Sequence, residues 1–568
     1  MGQDHSKERG PDAPLGIKNA AATRMRPGNS CGGPDAPLGI NAARMRRVAR
    51  GRMGITDKYK TYRIATLGCK VNQQESEAIA ASFEALGFSP AGKGEEADVC
   101  VINSCTVTSM ADSKTRQKLR QARAANPGAL LCLIGCLPEA AGGQPPGVPE
   151  ADLVVGNADK ERTAELAAAL LAERAEAGTR RNTEAGRGRR GPRYRPGGQR
   201  GRGVRGQSLG PDGQLGRGVQ GPDGAEGTRT RAFLKAQDGC DRFCAFCIIP
   251  YARGPVRSRP ADELQREAEG LLAAGYKELV LTGINLALYG RDLAPGESLQ
   301  NTQAPGVTGE VQVAGSMPAP GVTAGARSAA TDRIERDALY GRDFSPGEGG
   351  GLYGLVKRLG SIEAGGEYRI RLGSLEPTAV DARQAVRIAS TPGVCPQLHL
   401  SLQSGSARTL EAMGRPYTPD GYEGIVKALR GLDPLFSVTT DVIVGFPGET
   451  EQEFEESLDF VRRMGFARVH VFKYSKRPGT RAALMDNQVR EEVKNERRRR
   501  MIEIADNSAA RFVEQNEGRP RRVLIYGPDR DRRFVRGLSD NGIDIFLPYE
   551  NAARYLSNEY YDIKIIRK

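Results

Sequence analysis

Three cysteines carry the strongest chemical signal in this 568-residue chain: Cys240-Asp-Arg-Phe-Cys244-Ala-Phe-Cys247, a C-x3-C-x2-C loop directly after a strand-like apolar stretch. Three thiolates at this spacing can hold three irons of a [4Fe–4S] cube and leave the fourth iron without a protein ligand. An open iron can chelate the amino and carboxylate groups of S-adenosylmethionine and set its sulfonium beside the cluster, for one-electron cleavage to a 5′-deoxyadenosyl radical. The competing reading is zinc. A structural zinc takes four tetrahedral ligands, usually from paired C-x2-C units, and no His lies near this loop.

A second set is dispersed: Cys69 in Leu67-Gly-Cys-Lys-Val-Asn72, Cys105 in Asn103-Ser-Cys-Thr-Val-Thr108, and Cys136 in Ile134-Gly-Cys-Leu137. Each ends an expected strand, so the three should converge on one sheet edge as a second three-thiolate site. Singly, such cysteines could be core packing. Cys100 and Cys132 inside strands, Cys395 before a strand and Cys31 near the amino terminus read as core or incidental, and His5, His399 and His470 as structural.

The elements that must position these residues follow from hydrophobic periodicity. Residues 61–176 alternate expected strands (62–67, 98–105, 129–136, 153–156) with helices (73–87, 111–125, 160–174), a small parallel α/β sheet. From 231 to about 480, six expected strands (232–236, 278–283, 368–373, 397–402, 438–444, 468–474) alternate with helical segments. Six βα units make a partial barrel with its chemistry at the carboxyl ends of the strands. A charged helix over 488–515 leads to strands at 521–526, 533–537, 543–547 and 561–566, expected to form a small β-barrel.

Three segments read as additions expected to be disordered, because they cannot bury enough apolar surface to offset ordering entropy. Residues 1–58 repeat Gly10-Pro-Asp-Ala-Pro-Leu-Gly-Ile17 at Gly33–Ile40; residues 177–229 are rich in Gly and Arg; and about 289–339 separates Leu288-Tyr-Gly-Arg-Asp292 from its copy Leu339-Tyr-Gly-Arg-Asp343. Residues 1–58 hold 11 Lys/Arg against 5 Asp/Glu and residues 177–231 hold 13 Arg against 4 Asp/Glu, so these stretches account for the net charge of +14. The basic balance therefore describes the additions rather than the enzyme-like remainder. With ten cysteines in a chain lacking a signal peptide or an apolar run of membrane-spanning length, reduced thiols and a cytoplasmic location are expected, with no membrane partner.

The dispersed cysteines, paired with Cys240–Cys247 and its continuation Ile248-Ile-Pro-Tyr-Ala-Arg253, resemble the methylthiotransferases of the radical S-adenosylmethionine superfamily. Thr66-Leu-Gly-Cys-Lys-Val-Asn-Gln73, Glu75-Ser76 and Asn103–Thr108 are most similar to the branch acting on threonylcarbamoyladenosine in tRNA. The resemblance implies an auxiliary [4Fe–4S] cluster on Cys69, Cys105 and Cys136, and a radical-generating one on Cys240, Cys244 and Cys247. It implies S-adenosylmethionine contacts at Gly283 and Asn285 (second strand), Ser374 and Glu376 (third), Gln403 (fourth), and Asp441, Gly445, Pro447 and Gly448 (fifth). One S-adenosylmethionine would supply a methyl group and another the radical that takes hydrogen from adenine C2. The base would be the adenosine immediately 3′ of the anticodon. Expected partners are a tRNA anticodon stem-loop and a low-potential donor such as flavodoxin or ferredoxin. The domains would be an extension (1–58), a methylthiotransferase amino-terminal domain (59–176), a linker (177–229), a radical core (230–515) and a TRAM-like RNA-binding domain (516–568). In this last region Tyr526, Phe534, Phe546 and Tyr549 are available to stack bases. Leu137-Pro-Glu139 and Lys473 depart from the family pattern. The alternatives are action on isopentenyladenosine or on a ribosomal protein, or a zinc-stabilised RNA-binding protein without catalysis.

Overall fold

The computed structural model describes residues 61–92, 94–140, 150–185, 230–293, 351–529, 531–551 and 555–566, with 176–185 as helix backbone. The extension 1–58, most of the linker and most of the insertion lie outside the described residues.

The first layer system is a five-stranded parallel sheet of order β2-β1-β3-β4-β5, with β1 Thr61–Thr66, β2 Ser89–Pro90, β3 Val99–Ser104, β4 Leu130–Gly135 and β5 Leu153–Val154. Both faces are covered, so β3 and β4 are apolar at nearly every position. Val99, Val101, Leu130, Cys132 and Ile134 pack on helices α1 Lys70–Ala85 and α4 Thr163–Ala185. Cys100, Ile102, Leu131 and Leu133 pack on α2 Ser109–Ala125. A short α3 covers Cys136–Ala140. Cys100 and Cys132 are core residues, as expected. Helix α4 runs to Ala185, past the expected end at 174 and into the stretch read as linker.

The second unit is an open partial barrel whose barrel strands pair in parallel. Its six expected strands are all present: β6 Arg231–Lys235, β9 Glu278–Thr282, β10 Arg369–Leu372, β12 Gln397–Leu400, β13 Ser437–Val444 and β14 Arg468–Lys473. A ribbon of β7 Gln237–Asp238 and β8 Arg257–Ser258, and a short β11 Ser374–Leu375 beyond β10, complete it. The order is β6-β9-β10, then β11-β12-β13-β14. Helices α5 Ile249–Arg253, α6 Ala261–Ala273, α7 Gly351–Gly360, α8 Ala382–Ala389, α9 Ala407–Ala412, α10 Pro419–Leu432 and α11 Glu451–Met464 follow the strands. The long α12 Glu491–Asn516 packs along β14.

At the carboxyl end, β15 Pro520–Pro528, β16 Phe534–Ser539, β17 Asp544–Pro548 and β18 Tyr560–Lys564 form an antiparallel sheet of order β17-β16-β15-β18. Here the structure corrects the expected small β-barrel: among the described residues the outer strands β17 and β18 do not pair, so the sheet is open. The barrel floor covers it instead. Fully buried Glu278 gathers Arg231, Arg369 and Arg371 at 2.7, 2.6 and 3.1 Å. Arg369 and Arg371 then donate to the carbonyl oxygens of Leu538 and Ser539, at 3.0 and 3.1 Å. Tyr526 faces this floor, with Arg231 over its ring at 5.8 Å, and is not a free stacking face. Phe546 and Tyr549 are exposed. Among the described residues no helix is long and apolar enough to cross a membrane.

Candidate functional site

Each amino-terminal cysteine sits just past the carboxyl end of a parallel strand, where functional groups of open α/β sheets collect. Gly68 and Gly135, immediately before Cys69 and Cys136, have φ of +108° and +93°. A Cβ on Gly68 would stand 2.7 Å from Cβ of Cys105, and one on Gly135 only 2.4 Å from the Ser104 carbonyl oxygen. Only glycine fits both the backbone and the close approach. The Asn72 amide braces these turns, donating to the carbonyl oxygens of Leu67 and Ser104, both at 2.9 Å. Asn103 donates in turn to the Asn72 carbonyl at 2.9 Å and to Ser76 Oγ at 3.0 Å.

The Cys240–Cys247 loop leaves the barrel after β7 and is tied down by its backbone. Cys240 N–H donates to the Gly254 carbonyl at 3.0 Å, and Ala245 N–H to the Met413 carbonyl at 2.8 Å. All six cysteines, three after strands of the amino-terminal sheet and three in the loop after β7, line one cavity of about 1160 Å3. Burial pushes the thiols up, Cys105 and Cys247 to about 12 and Cys240 to about 11, and raises Cys136 and Cys244 as well. Such thiols ionise when a metal's charge offsets the loss of solvent. A [4Fe–4S] cube takes each thiolate on a different iron, around a shared volume.

Of the other expected residues, Gly283, Asn285, Ser374, Glu376, Gln403 and Asp441 line the same cavity. The Asn285 amide donates to Glu376 Oε2 at 2.7 Å, while its Oδ1 is buried without a partner among the described residues. An orphaned acceptor at a cavity wall fits an ammonium donor, such as the amino group of an amino-acid ligand. Gln403 is held at φ +67°, an uncommon conformation for a non-glycine residue. Gly445, Pro447 and Gly448 are not among the lining residues. A Cβ at Gly445 would meet the Lys494 side chain at 2.4 Å and one at Gly448 would meet Asn487 at 2.3 Å. These two glycines make room for protein side chains.

Several lining residues escaped the sequence reading. Arg242 and Arg415 clamp Glu376 at 2.9 and 3.0 Å; burial would raise this carboxyl, but the two guanidiniums hold it below the usual range. Arg242 lies inside the cysteine loop, a signal that could have found it. Arg253, 3 % exposed, joins the two domains. Its Nε donates to Cys136 Sγ at 3.3 Å, Nη1 to Glu75 and Asp238 at 2.9 Å each, and Nη2 to Asn72 Oδ1 at 2.8 Å. Lys160 and Lys235 complete this buried network on Glu75 and Asp238. Arg231 and Arg468 line the cavity too, paired with Glu278 and with Asp544 at 3.2 Å. His399 and His470 face the cavity as well: His399 Nδ1 lies 3.0 Å from Thr439 Oγ1 and its Nε2 3.2 Å from Asp441 Oδ2, with the His470 ring edge-on at 5.9 Å.

Residues 61–156 match the family described as "Uncharacterized protein family UPF0004", and residues 345–461 match the Radical SAM superfamily. The chain is 33% identical to the threonylcarbamoyladenosine tRNA methylthiotransferase of Bacillus subtilis, over 84% of this chain and 88% of that protein. It is 31% identical to the protein of the same name from Thermotoga maritima, over 82% and 86%. It is also 30% identical to the tRNA-2-methylthio-N(6)-dimethylallyladenosine synthase of Pelotomaculum thermopropionicum, over 84% and 89%. With relatives of this identity matched along nearly their whole length, and with the strand-end cysteines and the cysteine loop facing one cavity, the chain belongs to the methylthiotransferase family of radical S-adenosylmethionine enzymes.

Proposed function

We propose that this enzyme places a methylthio group on C2 of N6-threonylcarbamoyladenosine, immediately 3′ of the anticodon in tRNA. The observation that carries the reading is the shared cavity: six cysteines from two domains face one volume large enough for a nucleoside and its reactants. Cys240, Cys244 and Cys247 would hold the radical-generating cluster, and Cys69, Cys105 and Cys136 the auxiliary one. When bound, these clusters and S-adenosylmethionine supply one-electron cleavage, a methyl group and sulfur.

The chain's own residues do the rest. Asn285 Oδ1 accepts from the amino end of S-adenosylmethionine, and Glu376 orients Asn285, Arg242 and Arg415 beside it. Arg253 binds the two domains across the cavity and donates to Cys136. Unpaired bases of an anticodon loop can splay into such a cavity, whereas a duplex would keep C2 in the minor groove. Exposed Phe546 and Tyr549, with Arg536 over the Phe546 ring at 5.7 Å, offer a stacking face for the loop or its stem. Electrons would come from a flavodoxin- or ferredoxin-like donor.

Cells lacking the protein should lose the 2-methylthio form of threonylcarbamoyladenosine and accumulate its precursor, read by nucleoside mass spectrometry. Wild type should restore it and Cys105→Ala should not. An unchanged profile, with the methylthio group missing from isopentenyladenosine or a ribosomal protein instead, would reassign the substrate.

A further inference from the structure

The proposed base differs from its dimethylallyl counterpart in one property that a protein can read strongly: its N6 substituent ends in a carboxylate, where the other is apolar. The cavity wall matches the charged substituent. Where closed barrels fill their interior with Val, Ile and Leu, three successive strands here present His399 from β12, Ser437, Thr439 and Asp441 from β13, and His470 from β14 to the cavity. The barrel floor adds positive potential, since three guanidiniums share the single carboxylate of Glu278.

Within this polar wall the charges are not evenly satisfied. The five lining arginines each have a carboxylate within 3.2 Å. Lys70, which lines the cavity from the first turn of α1, has no ion-pair or hydrogen-bond partner for its ammonium among the described residues. Lys70 is exposed to the cavity, so a ligand carboxylate can reach its ammonium without displacing a protein partner. Its position fits the chemistry of the base. N6 and C2 flank N1 on one edge of adenine, and Lys70 adjoins Cys69 at the cavity wall, so a base that turns C2 toward the amino-terminal cysteines can be seated with its N6 substituent toward Lys70.

We infer that Lys70 is the specificity-determining residue that binds the carboxylate of the threonylcarbamoyl group, with the His399–Asp441–His470 wall beside it. This rests on the substrate reading above. One other carboxylate enters the cavity, that of S-adenosylmethionine itself, so the test must separate the two sources.

The full-length reconstituted enzyme, Lys70→Met, Lys70→Gln and Lys70→Arg are compared on three anticodon stem-loop RNAs. These carry threonylcarbamoyladenosine, the same base with its carboxylate converted to a neutral amide, and dimethylallyladenosine. Iron content and the electron paramagnetic resonance of both clusters are recorded first, then RNA affinity, kcat/KM and the KM for S-adenosylmethionine. Wild type should prefer the acid RNA over the amide by roughly tenfold to a hundredfold, the usual worth of a hydrogen bond to a charged group. Lys70→Met and Lys70→Gln should erase that preference while keeping both cluster signals, and Lys70→Arg should retain most of it.

Equal losses on acid and amide RNA, or a raised KM for S-adenosylmethionine with RNA preference intact, would overturn the assignment. Because Lys70 adjoins Cys69, the acid-against-amide comparison in wild type provides a readout without any substitution, and absence of discrimination there overturns it too. A wild-type enzyme that modifies only the dimethylallyl RNA refutes the substrate reading, whereas one that modifies the acid and amide RNAs equally refutes Lys70 alone.

Discussion

Glu75 is buried among Arg253, Lys160 and Lys235. Burial alone would raise its carboxyl, but the three cations outweigh it and lower it to about 2. A carboxylate whose folded value lies below its unfolded one stabilises the fold fully above about pH 4.5, and that stability drains away as pH falls toward 2. The depression corresponds to on the order of 3 kcal/mol at neutral pH. Glu75→Gln should therefore lower the thermal unfolding midpoint at pH 7 and flatten its decline on acidification; an acid limb parallel to wild type would contradict this. Arg253→Met should cost about 3–5 kcal/mol in denaturant unfolding, because it leaves buried carboxylates short of a partner. A loss below about 1 kcal/mol, the range of exposed ion pairs, would contradict it. The six cysteines were legible in the sequence because thiols at strand ends and in a tight loop are local signals. Arg253 and Lys70 were not: Arg253 finds Glu75 178 residues away, and periodicity carries no information about domain docking. The polar wall of β12–β14 was legible in principle, since Ser437, Thr439 and Asp441 alternate, but His399 and His470 were read as structural.

At the scale of elements, the strands and helices that hold the site follow from alternation and helical periodicity, and all six expected barrel strands formed. The features that differ from expectation depend on pairing and packing beyond the local chain. Helix α4 continues to Ala185 across a single glycine, Gly178, with no proline to end it, and closure of the terminal strands would need β17 to meet β18, which no strand pattern specifies. The insertion shows the same economy. Tyr289 of the first Leu-Tyr-Gly-Arg-Asp copy is buried and donates to the Arg259 carbonyl at 2.8 Å. A Cβ on Gly290 would lie 3.0 Å from Cα of Gly351, where α7 begins. The described residues on either side of the insertion thus stand next to each other, so the ends it joins are already close in the fold. Deleting 289–339, which joins Leu288 to Tyr340 and sets the second copy in place of the first, should leave iron content, circular dichroism and turnover close to wild type. Retained iron with lost turnover would give the insertion a role in catalysis.

The whole molecule is expected to hold two independent three-thiolate sites that share a cavity but no ligand. Anaerobically reconstituted protein should bind about eight irons, and replacing Cys240, Cys244 and Cys247 together by Ala should leave about half. Loss of all iron without unfolding, or zinc in its place, would break the two-site arrangement. The fold arranges these sites by docking: Arg253 fixes the amino-terminal sheet to the barrel, and Arg369 and Arg371 fix the terminal sheet to its floor. The most direct test of the central claim is a defined reaction of the purified, reconstituted enzyme with S-adenosylmethionine, a low-potential reductant and an anticodon stem-loop bearing threonylcarbamoyladenosine. Nucleoside mass spectrometry should then show the 2-methylthio product, formed together with 5′-deoxyadenosine and absent with Cys105→Ala. Cleavage of S-adenosylmethionine to 5′-deoxyadenosine with no modified nucleoside in that RNA, while a dimethylallyladenosine stem-loop or a ribosomal protein gains the group, would contradict it.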